Sequence, residues 1–332
     1  MLFALTVLVP AVQAQTHRRP SLPPPPQSVS GCPPLATLFS GVYSADVEVD
    51  DTYVYFSDDL GGLYRMPKGS PAFSTPELLG TVPDYVLVMS IDAASIYMIT
   101  IGIEGTLGSI WSMPKSGGTP KELVNGVLTP YELALDANNV YWVSIGTPST
   151  SFFLADGKIE RVAKDGTGRR TLASNLNVPT TIDTDGTNVY FSETGLSPAN
   201  SNAGLRSVPA GGGSVKKLTN GTAVVSVLLQ DSDIFFSALN FITGGELLRM
   251  NKSSTTPKSL LKDLDVVPRL GLIDDRLYFF NSGDAETLEY IPANGGARHT
   301  VVDNDFLAEQ FVLDACSVYT VDGGGSIVRT PR

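Results

Sequence analysis

The chain has 332 residues, 42% of them hydrophobic and 17% charged against the ~25% usual for soluble domains, so its body holds a substantial core and is not intrinsically disordered. Its 34 acidic and 23 basic residues give a net charge of −11, the wrong sign for gripping nucleic acid or an anionic membrane surface. Two histidines and two cysteines exclude a His-rich or Cys-rich metal centre, while 32 glycines and 23 prolines point to many tight turns and an all-β architecture.

In chain order, residues 2–13 form an apolar stretch ending in Val12-Gln13-Ala14, a small-residue pattern that signal peptidases accept. At that length it is too short to span a bilayer, and residues 1–14 are expected to be a signal peptide that exports the protein to a secreted or periplasmic location. Residues 15–31 include the run Pro23-Pro24-Pro25-Pro26, which forms neither helix nor sheet and reads as an extended, disordered tether. A single domain is expected from 32 to 332.

Within that domain an apolar-aromatic-apolar triplet recurs. It appears as Val54-Tyr55-Phe56, Ile96-Tyr97-Met98, Val140-Tyr141-Trp142, Val189-Tyr190-Phe191, Ile234-Phe235-Phe236, Leu277-Tyr278-Phe279 and, more weakly, Val318-Tyr319-Thr320. Successive aromatic positions lie 42, 44, 49, 45, 43 and 41 residues apart. Four residues before each triplet stands an aspartate in five units, Asp50, Asp92, Asp136, Asp185 and Asp314, marking a hairpin turn. After the triplet come a variable loop, a Gly-led strand such as Gly157-Lys158-Ile159-Glu160-Arg161, a polar glycine turn such as Lys115-Ser116-Gly117-Gly118, and a short fourth strand such as Thr171-Leu172-Ala173. Four short strands repeated seven times predict a seven-bladed β-propeller, one antiparallel sheet per blade. A β-sandwich would not need seven copies of one turn pattern.

The seventh unit ends at Arg332 after three strands, so the strand around Leu35-Ala36-Thr37-Leu38-Phe39-Ser40 is expected to complete the last blade and close the ring. Cys32 precedes that strand and Cys316 lies in the first turn of the seventh unit. In an up-and-down blade these points share a face about 10 Å apart, and a Cys32–Cys316 disulfide is predicted, as suits an oxidising compartment.

The third unit, Val140-Tyr141-Trp142-Val143 through Arg169-Arg170-Thr171-Leu172, resembles the repeats of YWTD, TolB-like and NHL-like propellers. The resemblance covers residues 35–332 as a pattern and implies an extracytoplasmic binding scaffold more often than an enzyme. YWTD rings have six blades where seven are counted here, and the acidic fourth position is kept only at Asp58, Glu193 and Asp322. The resemblance transfers no catalytic residue.

Candidate binding residues fall in two places on the loop face. The longest loop, 144–156, carries Phe152 and Phe153, and a second carries Phe241; exposed aromatic tips of this kind anchor partners. Tyr131, Glu132 and Arg269, at the start of innermost strands, are expected at the mouth of the central channel, where a sugar would stack on Tyr131 or a small anion meet Arg269. The turn aspartates would offer oxygen to calcium, although an Asp in a hairpin is accounted for by its own backbone amides. No nucleophile elbow, P-loop or zinc-protease motif occurs, and neither a metal nor another cofactor is required. The expectation is a monomeric, non-catalytic scaffold for a protein or glycan partner; the alternative is a propeller lyase or hydrolase using channel carboxylates with a divalent cation.

Overall fold

A computed structural model of the chain describes residues 32–40, 46–102, 107–149, 153–195, 203–240, 242–283, 286–303, 310–321 and 325–332. The expected signal segment and tether, 1–31, lie outside them.

The described residues form strands and no helix. Strand β1 (Ala36–Ser40) is followed by blade 1, made of β2 (Val47–Val49), β3 (Tyr53–Ser57), β4 (Gly62–Pro67) and β5 (Glu77–Thr81). Blade 2 comprises β6 (Tyr85–Ile91), β7 (Ser95–Ile101), β8 (Leu107–Pro114) and β9 (Lys121–Leu128). Blade 3 comprises β10 (Pro130–Leu135), β11 (Asn139–Ser144), β12 (Gly157–Ala163) and β13 (Arg170–Leu176). Blade 4 comprises β14 (Ile182–Thr184), β15 (Asn188–Glu193), β16 (Gly204–Pro209) and β17 (Lys216–Lys217). Blade 5 comprises β18 (Ala223–Gln230), β19 (Asp233–Asn240), β20 (Gly244–Asn251) and β21 (Lys258–Leu264). Blade 6 comprises β22 (Leu270–Ile273), β23 (Arg276–Asn281), β24 (Thr287–Pro292) and β25 (His299–Asp303), and blade 7 β26 (Phe311–Leu313), β27 (Ser317–Val321) and β28 (Ser326–Pro331). Each blade is a four-stranded antiparallel sheet, and β1 supplies the fourth strand of blade 7 by pairing with β28, Ala36 opposite Arg329. The molecule is the seven-bladed propeller expected from the repeats, closed by its amino-terminal strand.

Seven hydrophobic clusters lie between consecutive blades. The triplet supplies both sides of each blade because alternate strand residues point to opposite faces. Thus Tyr141 packs towards blade 4 and Trp142 towards blade 2; Phe235 packs towards blade 6 and Phe236 towards blade 4. Two covered faces explain why these strands read as continuous apolar runs. Truncating one of these rings, Phe236→Ala for example, is expected to cost about 3–5 kcal/mol through lost transfer energy and the cavity left behind.

The two ends of the disc differ. At one end each turn aspartate caps its own hairpin: Asp50 Oδ1 accepts from the amides of Thr52 and Tyr53 at 2.8 Å, and Asp92, Asp136, Asp185 and Asp314 repeat the arrangement. The hydroxyls of Tyr55, Tyr141, Tyr190 and Tyr319 donate to the second oxygen of their own blade's aspartate. A lysine from the next blade then closes the interblade gap: Lys115 to Asp50 at 2.5 Å, Lys164 to Asp92 at 2.7 Å, Lys252 to Asp185 at 3.0 Å and Lys68 to Asp314 at 2.9 Å. Arg332 pairs with Asp274 at the junction of blades 7 and 6. These lysines occupy one repeat position, the residue immediately after β4, β8, β12 and β20, and blades 4 and 6 have Ala210 and Ala293 there. Although partial burial works against it, the lysine and the two amides hold each of these four carboxyls below the ordinary range.

Cys32 and Cys316 form the predicted disulfide at this same end, with Cα atoms 5.3 Å apart and 284 positions between them in sequence.

Candidate functional site

The innermost strands line the central channel, and their register defines which residues share a level. Opposite the central residue of the triplets stand Glu48, Ser90, Ala134, Asp183, Leu228, Gly271 and Val312. Two residues earlier, one strand repeat of about 6.6 Å nearer the loop face, stand Asp46, Val88, Glu132, Thr181, Ser226, Arg269 and Gln310. Four carboxylates and one guanidinium therefore occupy two adjacent tiers of the channel wall.

An innermost strand has no partner on its channel side, so its amides need acceptors. The carboxylates supply them across the blade gaps. Asp46 Oδ2 accepts from Met89 N of blade 2 at 2.7 Å while Oδ1 accepts from Val47 N at 2.9 Å. Asp183 Oδ2 accepts from Leu229 N of blade 5 at 2.8 Å, and Oδ1 from Thr184 N at 2.7 Å. Glu132 bonds to the Thr181 side chain and the Ile182 amide of blade 4. At the next gap Ser226 Oγ and Ser237 Oγ donate to Val267 O at 3.2 and 2.6 Å.

Enclosure by seven blades raises the proton affinity of these acids, since burial disfavours the charged form. Glu48 is pushed up to about 8 by burial and then by the neighbouring charge of Asp46, with Arg269 opposing. Burial raises Glu132 to about 7 against the pull of Arg269, and Asp183 to about 6 against its amide bonds. Asp46 is raised by burial as well, despite Arg269 and its two amides. Burial acts to lower Arg269, but Asp46, Glu48 and Glu132 outweigh it and fix the guanidinium as a cation. The channel thus combines a permanent positive charge with carboxyls that exchange protons near neutrality. Among the described residues no three His, Cys, Asp or Glu side chains converge as a metal-ligand set.

Of the residues predicted from the sequence, Glu132 and Arg269 act on each other through space in the channel without touching, and Tyr131 stands exposed beside Glu132. Arg269 faces three carboxylates, so the environment of a small anion there is more acidic than the sequence reading implied. Phe153 is half-buried and its backbone bridges to Pro148, folding the long loop of blade 3 on itself. Phe152 and Phe241 lie outside the described residues. Asp46, Glu48 and Asp183 escaped sequence reasoning; the signal was the position opposite each triplet's aromatic and the one two residues before it, which carry acids where other blades carry apolar or small residues. The turn aspartates proposed for calcium have their oxygens engaged by amides, tyrosines and lysines of the chain itself.

Exposed aliphatic side chains stand on the loop face. Leu60 is 81% exposed, Leu107 56%, Leu154 50% and Ile242 87%, and Leu128 and Tyr131 are also exposed. All but Ile242 belong to blades 1, 2 and 3.

The sequence matches no protein-family model and no curated protein. Among solved structures, the computationally designed Ika8 protein covers 90% of this chain and 99% of its own with TM-score 0.58 and 11% identity. An oligogalacturonate lyase in complex with manganese covers 90% of this chain and 91% of its own with TM-score 0.66 and 10% identity. TolB from Acinetobacter baumannii covers 74% of this chain and 60% of its own with TM-score 0.51 and 13% identity. At these identities the likeness is one of fold. The propeller is shared by a designed protein, an enzyme and TolB, so function must be argued from this chain's own surfaces.

Proposed function

We propose that this protein is an extracytoplasmic, non-catalytic propeller that holds a protein partner on the loop face of blades 1–3. The supporting observation is the placement of exposed apolar side chains. The loop face presents Leu60, Leu107, Leu128, Tyr131 and Leu154 to solvent on three consecutive blades, whereas the other end, which also exposes Leu35, Phe73, Leu78 and Val215, has its charged groups paired in Asp–Lys–Tyr clamps. Exposed aliphatic groups on loops held by a rigid scaffold mark contact surfaces, and aliphatic tips suit a protein better than a glycan, which favours aromatic platforms. The disulfide fits an oxidising compartment. The enzyme alternative is supported less: the channel carboxyls are tied to different blades, and no metal-ligand set forms among the described residues.

The test is site-specific photocrosslinking in the producing cells, with the reactive group placed at Leu60, Leu107 or Leu154 and, as a control, at Phe73, which is exposed at the clamp end. The reading expects one discrete adduct shared by the three loop-face positions and absent from Phe73. Adducts from no loop-face position, or equally from Phe73, would sink it.

A further inference from the structure

A cavity of about 260 Å³ opens in the channel wall between blades 6, 7 and 1. Its two charged lining groups are Glu48 and Arg269; the side chains of Leu270 and Leu272 pack into the cluster between blades 5 and 6 and those of Phe311 and Leu313 into the one between blades 6 and 7, so the remaining wall is mostly backbone. Neither the Glu48 carboxylate nor the Arg269 guanidinium makes a hydrogen bond or a contact ion pair among the described residues; they act on each other only through space. An acid and a base that line one cavity without protein partners leave both charges open to a single ligand.

From this arrangement we propose that the cavity is a binding site for a small zwitterion of amino-acid size, its carboxylate on Arg269 and its ammonium on Glu48. An ammonium donates hydrogen bonds to a carboxylate, and a guanidinium takes a carboxylate through two parallel bonds. A simple anion would satisfy Arg269 but meet the field of Asp46, Glu48 and Glu132. A simple cation would satisfy the acids but leave the guanidinium without a partner. The volume lies just below the ~300–1,000 Å³ of sites for drug-sized ligands, which sets the size class. This site is independent of the loop-face reading, since it is defined by channel residues alone.

Isothermal titration of the full folded chain at pH 8.5, above the value of about 8 to which Glu48 is raised, with three probes decides the matter: L-leucine, 3-methylbutylamine, which lacks the carboxylate, and 4-methylpentanoate, which lacks the ammonium. The proposal expects one leucine per chain and at least tenfold weaker binding of either half-probe. Glu48→Gln should weaken leucine at least tenfold without weakening 4-methylpentanoate, and Arg269→Met should weaken leucine at least tenfold without weakening 3-methylbutylamine. No heat with leucine at millimolar concentration overturns the proposal, as does an amine or an acid that binds as tightly as leucine. The comparison of half-probes on the unaltered chain stands even where a variant fails to fold.

Discussion

Replacing Cys32 and Cys316 by serine opens a covalent loop that spans nearly the whole propeller. The 284 positions between the cysteines put the chain-entropy ceiling at about 5–6 kcal/mol, and measured cross-links commonly deliver less, so a loss of about 2–4 kcal/mol is expected. The native fold retains the other attachments of β1: its pairing with β28, the fully buried Leu38 and the Phe39 ring 5.7 Å from that of Phe56. The double variant should therefore fold with the same structure, and its destabilisation should come from an expanded unfolded state. Urea unfolding followed by far-ultraviolet circular dichroism measures both effects: the midpoint should fall and the slope should rise, because an uncross-linked unfolded chain exposes more surface. The unaltered protein in a reductant should behave as the double variant does. A change under about 1 kcal/mol with an unchanged slope would refute the argument that the disulfide constrains the unfolded chain.

Leu38→Ala attacks the same closure from the folded side and should cost about 3 kcal/mol in urea unfolding, within the range for a fully buried leucine. Ala210→Lys places a lysine where blade 4 lacks one, opposite Asp136; it should add about 0.5–1 kcal/mol, and the gain should vanish in an Asp136→Asn background when the four proteins are compared as a double-mutant cycle. The pH dependence has two limbs of opposite sign. The clamp aspartates, held low in the folded state, contribute stability above about pH 4 that is lost as pH falls further, whereas Asp183, Glu132 and Glu48, raised to about 6, 7 and 8, contribute stability at about pH 4.5 that is lost as pH rises through those values. Thermal unfolding should show a maximum between pH 4 and 5, and Glu48→Gln should flatten the decline between about pH 5 and 8; a decline of equal steepness in the variant would remove Glu48 from the account. Calcium at millimolar concentration should leave the melting temperature unchanged, since the turn aspartates are already bonded; a rise reversed by chelator would show a site on this chain.

The seven blades were legible because one pattern, a turn aspartate followed by an apolar-aromatic-apolar triplet, recurs at intervals of 41 to 49 residues, and a strand covered on both faces has to be continuously apolar. The missing fourth strand of the last unit likewise announced ring closure by residues 36–40 and, with it, the cysteine pair. Local chemistry also fixed the hairpins: Asp274 and Asp275 adopt φ of 49° and 55°, the left-handed pair of a two-residue turn, where the sixth repeat is shortest. What distance in sequence concealed was every relation between blades. Lys115 finds Asp50 and Lys164 finds Asp92 only because consecutive blades stack turn over turn, and nothing in either unit alone signals the pair. The channel is the strongest case. Asp46, Glu48, Glu132, Asp183 and Arg269 come from blades 1, 3, 4 and 6, and an acid in a short strand carries no mark of whether it faces solvent or a shared axis. Composition and repeat period determine how many blades form and how each is built, because those depend on contacts within some forty residues. Only closure of the ring decides which side chains converge on its axis, and there the enclosing walls, by displacing part of the water around the carboxyls, raise the proton affinity of ordinary acids.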